Sequence, residues 1–263
     1  MIIKGKKHHH GHDVGERLYI HRHSPIHDLP PHIKILAGLF FIIVAVATPI
    51  THFLAYLAFF ALIIGAILIA QLPLKTVAIR SLIEIPFVLF AFLMPFFGTG
   101  KTIEVWGFTL YEAGILAGLG IIAKGTLGIL TAILLSSTTS AREILRGLER
   151  LKLPTLIIQI ATFMLRYTNV VNDEMERMRI ARAARGFEAT GIKHWKVLGQ
   201  SAGALFIRSY ERGERVHLAM VSRGYQGLMP QETVTSTTKG ELIVGFSLPF
   251  IAAIISIASF VIG

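Results

Sequence analysis

A chain of 263 residues that is 53% hydrophobic and 16% charged, with a mean hydropathy of +0.62, is too apolar for an ordinary soluble domain. Its net charge of +10 would suit a nucleic-acid binder, but no motif for that role is present, and Lys and Arg also gather on the cytoplasmic side of membrane proteins. There is no cysteine, which excludes disulfides, thiolate metal sites and a cysteine nucleophile.

Residues 1–32 read as a cytoplasmic, His-rich segment that lacks the apolar core of a signal peptide. Seven of the eleven histidines fall in "KKHHHGHDVGERLYIHRHSPIH". Three consecutive histidines fix no coordination geometry, so the tract reads as an adventitious metal binder, and no metal site or cofactor is assigned.

Residues 33–137 hold the N-terminal membrane helices. The first two spans, 33–49 and 52–70, close a tight hairpin through "TPIT", and 71–81 reads as a short basic loop. A third span covers 82–97, where Pro86 and Pro95 predict kinks. Residues 98–109 read as an exposed connection or small hairpin, and 110–137 as a long, Gly-rich fourth span. Glu84 and Glu112 fall close enough to span ends to reach the interface. Lys124 falls near mid-span, where it can pair with a partner subunit or snorkel.

Residues 138–240 are different in character, holding 16 of the 26 Lys and Arg residues. An amphipathic helix at 142–154 stops at Pro154, and two long helices follow at 155–186 and 195–224. The apolar stretch 155–170 can also dip into or cross the membrane. The C-terminal span lies within 241–263. The fold class is therefore an all-α polytopic membrane protein of five or six transmembrane helices with a pair of long cytoplasmic helices. The basic residues place the N-terminus in the cytoplasm of a multi-pass plasma-membrane protein.

A short signature occurs twice. "AARGF" at 183–187 returns as "VSRGY" at 221–225, with the arginines 38 positions apart. In each copy the arginine occupies the last turn of a helix, where a cation meets the negative end of the helix dipole. A C-terminal cap is one reading. Docking into a groove is the other: small Ala184 and Ser222 permit close approach, Arg185 and Arg223 present forked donors, and Phe187 and Tyr225 fill a pocket.

The paired motifs resemble the Ala-Arg-Gly signatures of the T component of energy-coupling factor transporters, a class of ABC importers. "HSPIHDLPPHIKIL" at 23–36 resembles the run that precedes the first span in that family, and "LYIHRHSPIHDLPPHIKIL" is most similar to the cobalt-importer subgroup, CbiQ. The resemblance implies that Ala184-Arg185-Gly186 and Ser222-Arg223-Gly224 end two coupling helices, each set in a groove of one of two cytoplasmic ATPases (CbiO-like). Serine at 222 departs from the family's alanine but stays small. The ATPases would drive a separate substrate-binding membrane subunit (CbiM-like, assisted by a small CbiN-like one). The cargo implied is cobalt, with nickel or a vitamin as alternatives.

No P-loop is present; "GTGK" at 98–101 lacks its spacing, so the chain reads as a non-catalytic subunit whose partners hydrolyse ATP. A membrane enzyme would want clustered acids, yet Asp173, Glu174 and Glu176 alternate with Arg177 and Arg179 as on a solvated helix face. A self-contained carrier would repeat its membrane halves, whereas the repeat here lies outside them.

Overall fold

The computed structural model describes residues 18–97, 101–105, 108–187, 194–227 and 237–262. The described residues are almost entirely helical: α1 Pro31–Ala47, α2 Phe53–Ile69, α3 Leu74–Ser81, α4 Ile85–Leu93, α5 Glu112–Thr138, α6 Ala141–Arg150, α7 Thr155–Ala184, α8 Trp195–Val221 and α9 Lys239–Ile262. A small antiparallel pair, β1 Thr102–Val105 and β2 Phe108–Tyr111, joins α4 to α5, as expected for the exposed connection. The chain divides into two compact units: 18–151 with 237–262, and 152–227.

In the first unit, three stretches are long and apolar enough to cross a bilayer: Leu74–Phe96, Glu112–Thr138 and Lys239–Val261. Only 17%, 28% and 22% of their apolar windows are buried, so the rest faces outward and needs lipid as its solvent. The shorter apolar helices α1 and α2 complete a five-helix layout. The core between them is built on Phe41, Phe59, Ile63, Ile67 and Leu127.

Two expectations are corrected here. Residues 74–81 are not a loop but α3, which runs through a 3-10 turn at Leu82–Glu84 into α4. As a result Glu84 lies well inside the helix. It does not reach the interface but is 6% exposed, accepting a hydrogen bond from the Thr126 hydroxyl at 2.8 Å. Gly125 makes the space, since a Cβ there would sit 2.9 Å from the carboxylate. Where the prolines predict kinks, the helix passes through 3-10 turns, one just before Pro86 and one containing Pro95. Next to them α4 presses directly on α5: a Cβ on Gly118 would come within 2.6 Å of the Ala91 carbonyl, and Gly114 is tighter still.

Side-chain pairings fix the helix directions. Lys34 at the start of α1 donates to the Thr138 carbonyl at the end of α5 (2.9 Å), and Lys124 within α5 donates to Val46 at the end of α1 (2.8 Å). The two helices are antiparallel, and each lends a lysine to the other's negative end. Lys124 is thereby accounted for within the chain. Ile33 meets Gly245, and Thr48 meets Ser256 at 2.9 Å, so α1 and α9 run parallel. The unit's first and last helices therefore start on one face and end on the other.

The end of α1 shows why these polar groups sit at membrane depth. A helix end leaves its last carbonyls without partners, and lipid offers none. Ala45 would normally be served by the residue four positions on, but that residue is Pro49, which has no N–H. The Tyr56 hydroxyl reaches both the Ala45 (3.0 Å) and Thr48 (2.7 Å) carbonyls. Thr48 turns its own hydroxyl to Val44, and Lys124 serves Val46.

The segment before α1 is folded rather than loose. Ser24 and Nδ1 of His27 are 2.8 Å apart, and Nε2 donates to the Ile20 carbonyl at 3.1 Å. The Ile20 amide bonds to Ser137, and the His27 carbonyl takes a second bond from Lys34. Burial pushes the His27 imidazole below its ordinary pKa, with the Lys34 charge adding to the effect and the bond to Ile20 opposing it. The Ser-Pro-x-His run is thus a structural lock over the end of α5. The histidines before Arg17 lie outside the described residues.

Candidate partner-docking ends of α7 and α8

Among the described residues, the second unit is built on two long helices. α7 buries only Ile158, and α8 buries no residue fully. Side-chain bonds join them, among them Gln159 with Tyr225 and Gly227, Glu174 with Arg208, and Arg182 with Ser201. As the α7 number rises the α8 number falls, so the pair is antiparallel. The C-terminal end of each helix therefore lies beside the start of the other, and the two ends are roughly 40 Å apart at about 1.5 Å per residue.

Both ends are built the same way. On α7 the Gly186 amide bonds to Ala183 (2.9 Å) and the Phe187 amide to Arg182 (3.1 Å). On α8 the Gly224 amide bonds to Val221 (2.9 Å) and the Tyr225 amide to Met220 (3.0 Å). The glycines have φ of +73° and +85°. This pairing is the Schellman helix ending, which needs a left-handed residue just after the last turn and favours glycine there. A Cβ on either glycine would meet nothing within 4 Å, so conformation alone requires glycine.

The aromatic residue of each copy folds back on its own end. Phe187 packs edge-on to His194 (ring centroids 5.1 Å apart), and Tyr225 edge-on to His217 (6.5 Å) while its hydroxyl donates to Gln159 at 3.3 Å. Gln159, a polar residue in the apolar half of α7 that spacing did not single out, is the partner that holds this end. Its amide also donates to Gly227 at 2.9 Å.

The arginines are left over. Arg185 and Arg223 are exposed and, among the described residues, neither side chain has a hydrogen-bond or ion-pair partner. Ala184 and Ser222 beside them are exposed as well, with the Ser222 hydroxyl turned to the Ala219 carbonyl at 3.0 Å. The cap accounts for glycine and the aromatic residue and leaves the guanidinium free, so the two readings of the motif concern different atoms.

Glu176 lies on a solvated face, whereas Glu174, 19% exposed, is turned toward α8. Glu174 pairs with Arg208 and Arg177, and Glu176 with Arg179 at 2.8 Å. The bond from Arg208 holds the Glu174 carboxyl below the usual carboxylate range.

The sequence matches the CbiQ family, described as "Cobalt transport protein", over residues 22–234. It belongs to that family. The CbiQ-family chain is 32% identical over 209 residues to an uncharacterized protein of Methanocaldococcus jannaschii, covering 75% of each. It is 31% identical over 231 residues to the energy-coupling factor transporter transmembrane protein EcfT of Bacillus selenitireducens, covering 80% of this chain and 82% of that one. It is also 25% identical over 224 residues to a putative fused cobalt transport protein CbiMQ of Methanocorpusculum labreanum, covering 80% of this chain and 36% of the fusion. This CbiQ-like chain is accordingly a transmembrane T component of the energy-coupling factor transporter class and a multi-pass membrane protein.

Proposed function

We propose that this chain couples two cytoplasmic ATPases to a substrate-binding membrane subunit of a cobalt importer. The observation that carries the reading is the pair of matching helix ends, each presenting an exposed arginine with no partner among the described residues. Arg185 and Arg223 each enter a groove of one ATPase, with Ala184 and Ser222 allowing close approach and Gly186 and Gly224 holding the cap. Because the ends lie roughly 40 Å apart on one helix pair, closing of the ATPases reorients α7 and α8 together. The apolar residues exposed on the pair, including Ile160, Met164, Phe206 and Ile207, provide the surface that passes this motion to the substrate subunit. The N-terminus and both caps are cytoplasmic, as the basic residues require. Cobalt is supported by the family description and by the fused CbiMQ relative.

Copurification and transport test this. Arg185→Glu or Arg223→Glu lowers cobalt uptake in the reconstituted complex, and the double reversal loses the ATPases. Normal copurification and uptake by the double reversal would refute the docking role. Uptake of nickel or a vitamin in place of cobalt would move the cargo and leave the coupling role standing.

A further inference from the structure

The membrane unit contains a second feature that coupling does not use. A cavity of about 370 Å³ lies among α1, α2, α5 and α9 and is closed at one end by Pro25, Ile26 and Leu29 of the lock segment. Its walls are apolar even where the residues carry hydroxyls. Thr131 spends its hydroxyl on the Leu127 carbonyl, Thr138 on Leu134, and Ser247 on Val244. Its rim is exposed at Ala61, Ile69, Val244 and Ile251, on the surface that faces lipid.

One charge lines it. Lys34 is 8% exposed and gives two of its three ammonium protons to the His27 and Thr138 carbonyls. Asp28 and Glu143 act on it electrostatically, but among the described residues no carboxylate pairs with it. Two carbonyl bonds leave the third ammonium proton for an anion to accept. Lys34 lies at the start of α1, and Phe41, which also lines the cavity, is about 10 Å deeper along the helix. The charge is therefore near the membrane surface and the apolar wall runs inward, in the order of a phospholipid's headgroup and tail.

We infer that this groove binds an anionic phospholipid, with one acyl chain along Phe41, Leu62, Gly65 and Leu248 and the phosphate at Lys34. Charge separates this from a partner's apolar transmembrane helix, which would bring no anion to the lysine at the groove's end. Gly65 is the point of control. It lines the groove, and a Cβ there meets nothing within 4 Å, so a side chain placed there starts into the groove's open space.

The full chain is reconstituted in nanodiscs of phosphatidylcholine and phosphatidylglycerol at 3:1, and retained lipid is read by native mass spectrometry. Wild type is expected to hold one phosphatidylglycerol per chain in preference to phosphatidylcholine. Gly65→Leu is expected to lower that occupancy at least tenfold with an unchanged or higher melting temperature. A phosphatidylglycerol with a photoreactive acyl chain is expected to crosslink within 61–69 and 244–251. Lys34→Gln also removes a cap from α5, so Gly65→Leu carries the decision. Equal retention of the two lipids would overturn the proposal, as would Gly65→Leu holding phosphatidylglycerol like wild type. Loss of a copurifying membrane subunit from Gly65→Leu with lipid retention intact would overturn it in favour of a protein helix.

Discussion

Tyr56→Phe removes one oxygen and leaves the ring's packing against Phe59 in place, so its cost reports on α1's carbonyls alone. The side chain is 4% exposed, and its single proton is shared between the Ala45 and Thr48 carbonyls. A buried acceptor left without a donor costs about 1–3 kcal/mol. Interhelical hydrogen bonds in membranes average nearer 0.6 kcal/mol because the unfolded reference finds other partners. Taking about 1–2 kcal/mol between these figures, and roughly 2–4 °C per kcal/mol for a unit of this size, a drop of about 2–8 °C in mild detergent is expected. The diagnostic arm is Pro49→Ala. It supplies an N–H that reaches Ala45 once Thr48, extended at ψ 128° before the proline, turns helical, and in that background Tyr56→Phe should lose about half its cost. Strict additivity of the two substitutions, or a Tyr56→Phe melt within about 1 °C of wild type, would refute the view that Tyr56 stands in for the missing proline donor.

Lys124→Met should destabilise the membrane unit by about 1–2 kcal/mol through the freed Val46 carbonyl, read as a lower melting temperature, while metal selectivity in uptake stays unchanged. Gly186→Ala and Gly224→Ala each force a side chain into the left-handed region at about 1–2 kcal/mol, which should speed hydrogen exchange at the Phe187 or Tyr225 amide without altering the far ends of α7 and α8. His27 has its pKa lowered on folding, so its contribution is fully present above the unfolded value near 6.5 and is lost as pH falls through the lower folded value. Melting temperature should therefore decline below about pH 6.5, and His27→Gln should flatten that limb.

Much of the helical layout was legible because bilayer crossing demands long apolar runs and because proline and glycine punctuate them. The 3-10 turns at Pro86 and Pro95, the hairpin after α4 and the glycine stops at 186 and 224 all follow from backbone rules that act over a few residues. The start of the third span was misread because Lys75 and Arg80 look like loop residues, although Arg80 reaches Ser137 at 2.6 Å. Glu84 was misplaced by the same error.

Sequence alone determined that the chain spans a membrane, that it carries two copies of a small-Arg-Gly-aromatic ending, and that glycine must close each helix. These depend on hydropathy and local dihedral preference, which neighbours in the chain already specify. Tertiary structure decided what the isolated charges do. Lys34, Lys124 and Glu84 are satisfied by Thr138, Val46 and Thr126, residues 104, 78 and 42 positions away. It also separated the atoms of the repeated motif, giving the glycine and aromatic residue to the cap and leaving each arginine free. A long-range hydrogen bond has no period or composition to betray it. Only the packing of antiparallel helices brings a lysine to another helix's last carbonyl.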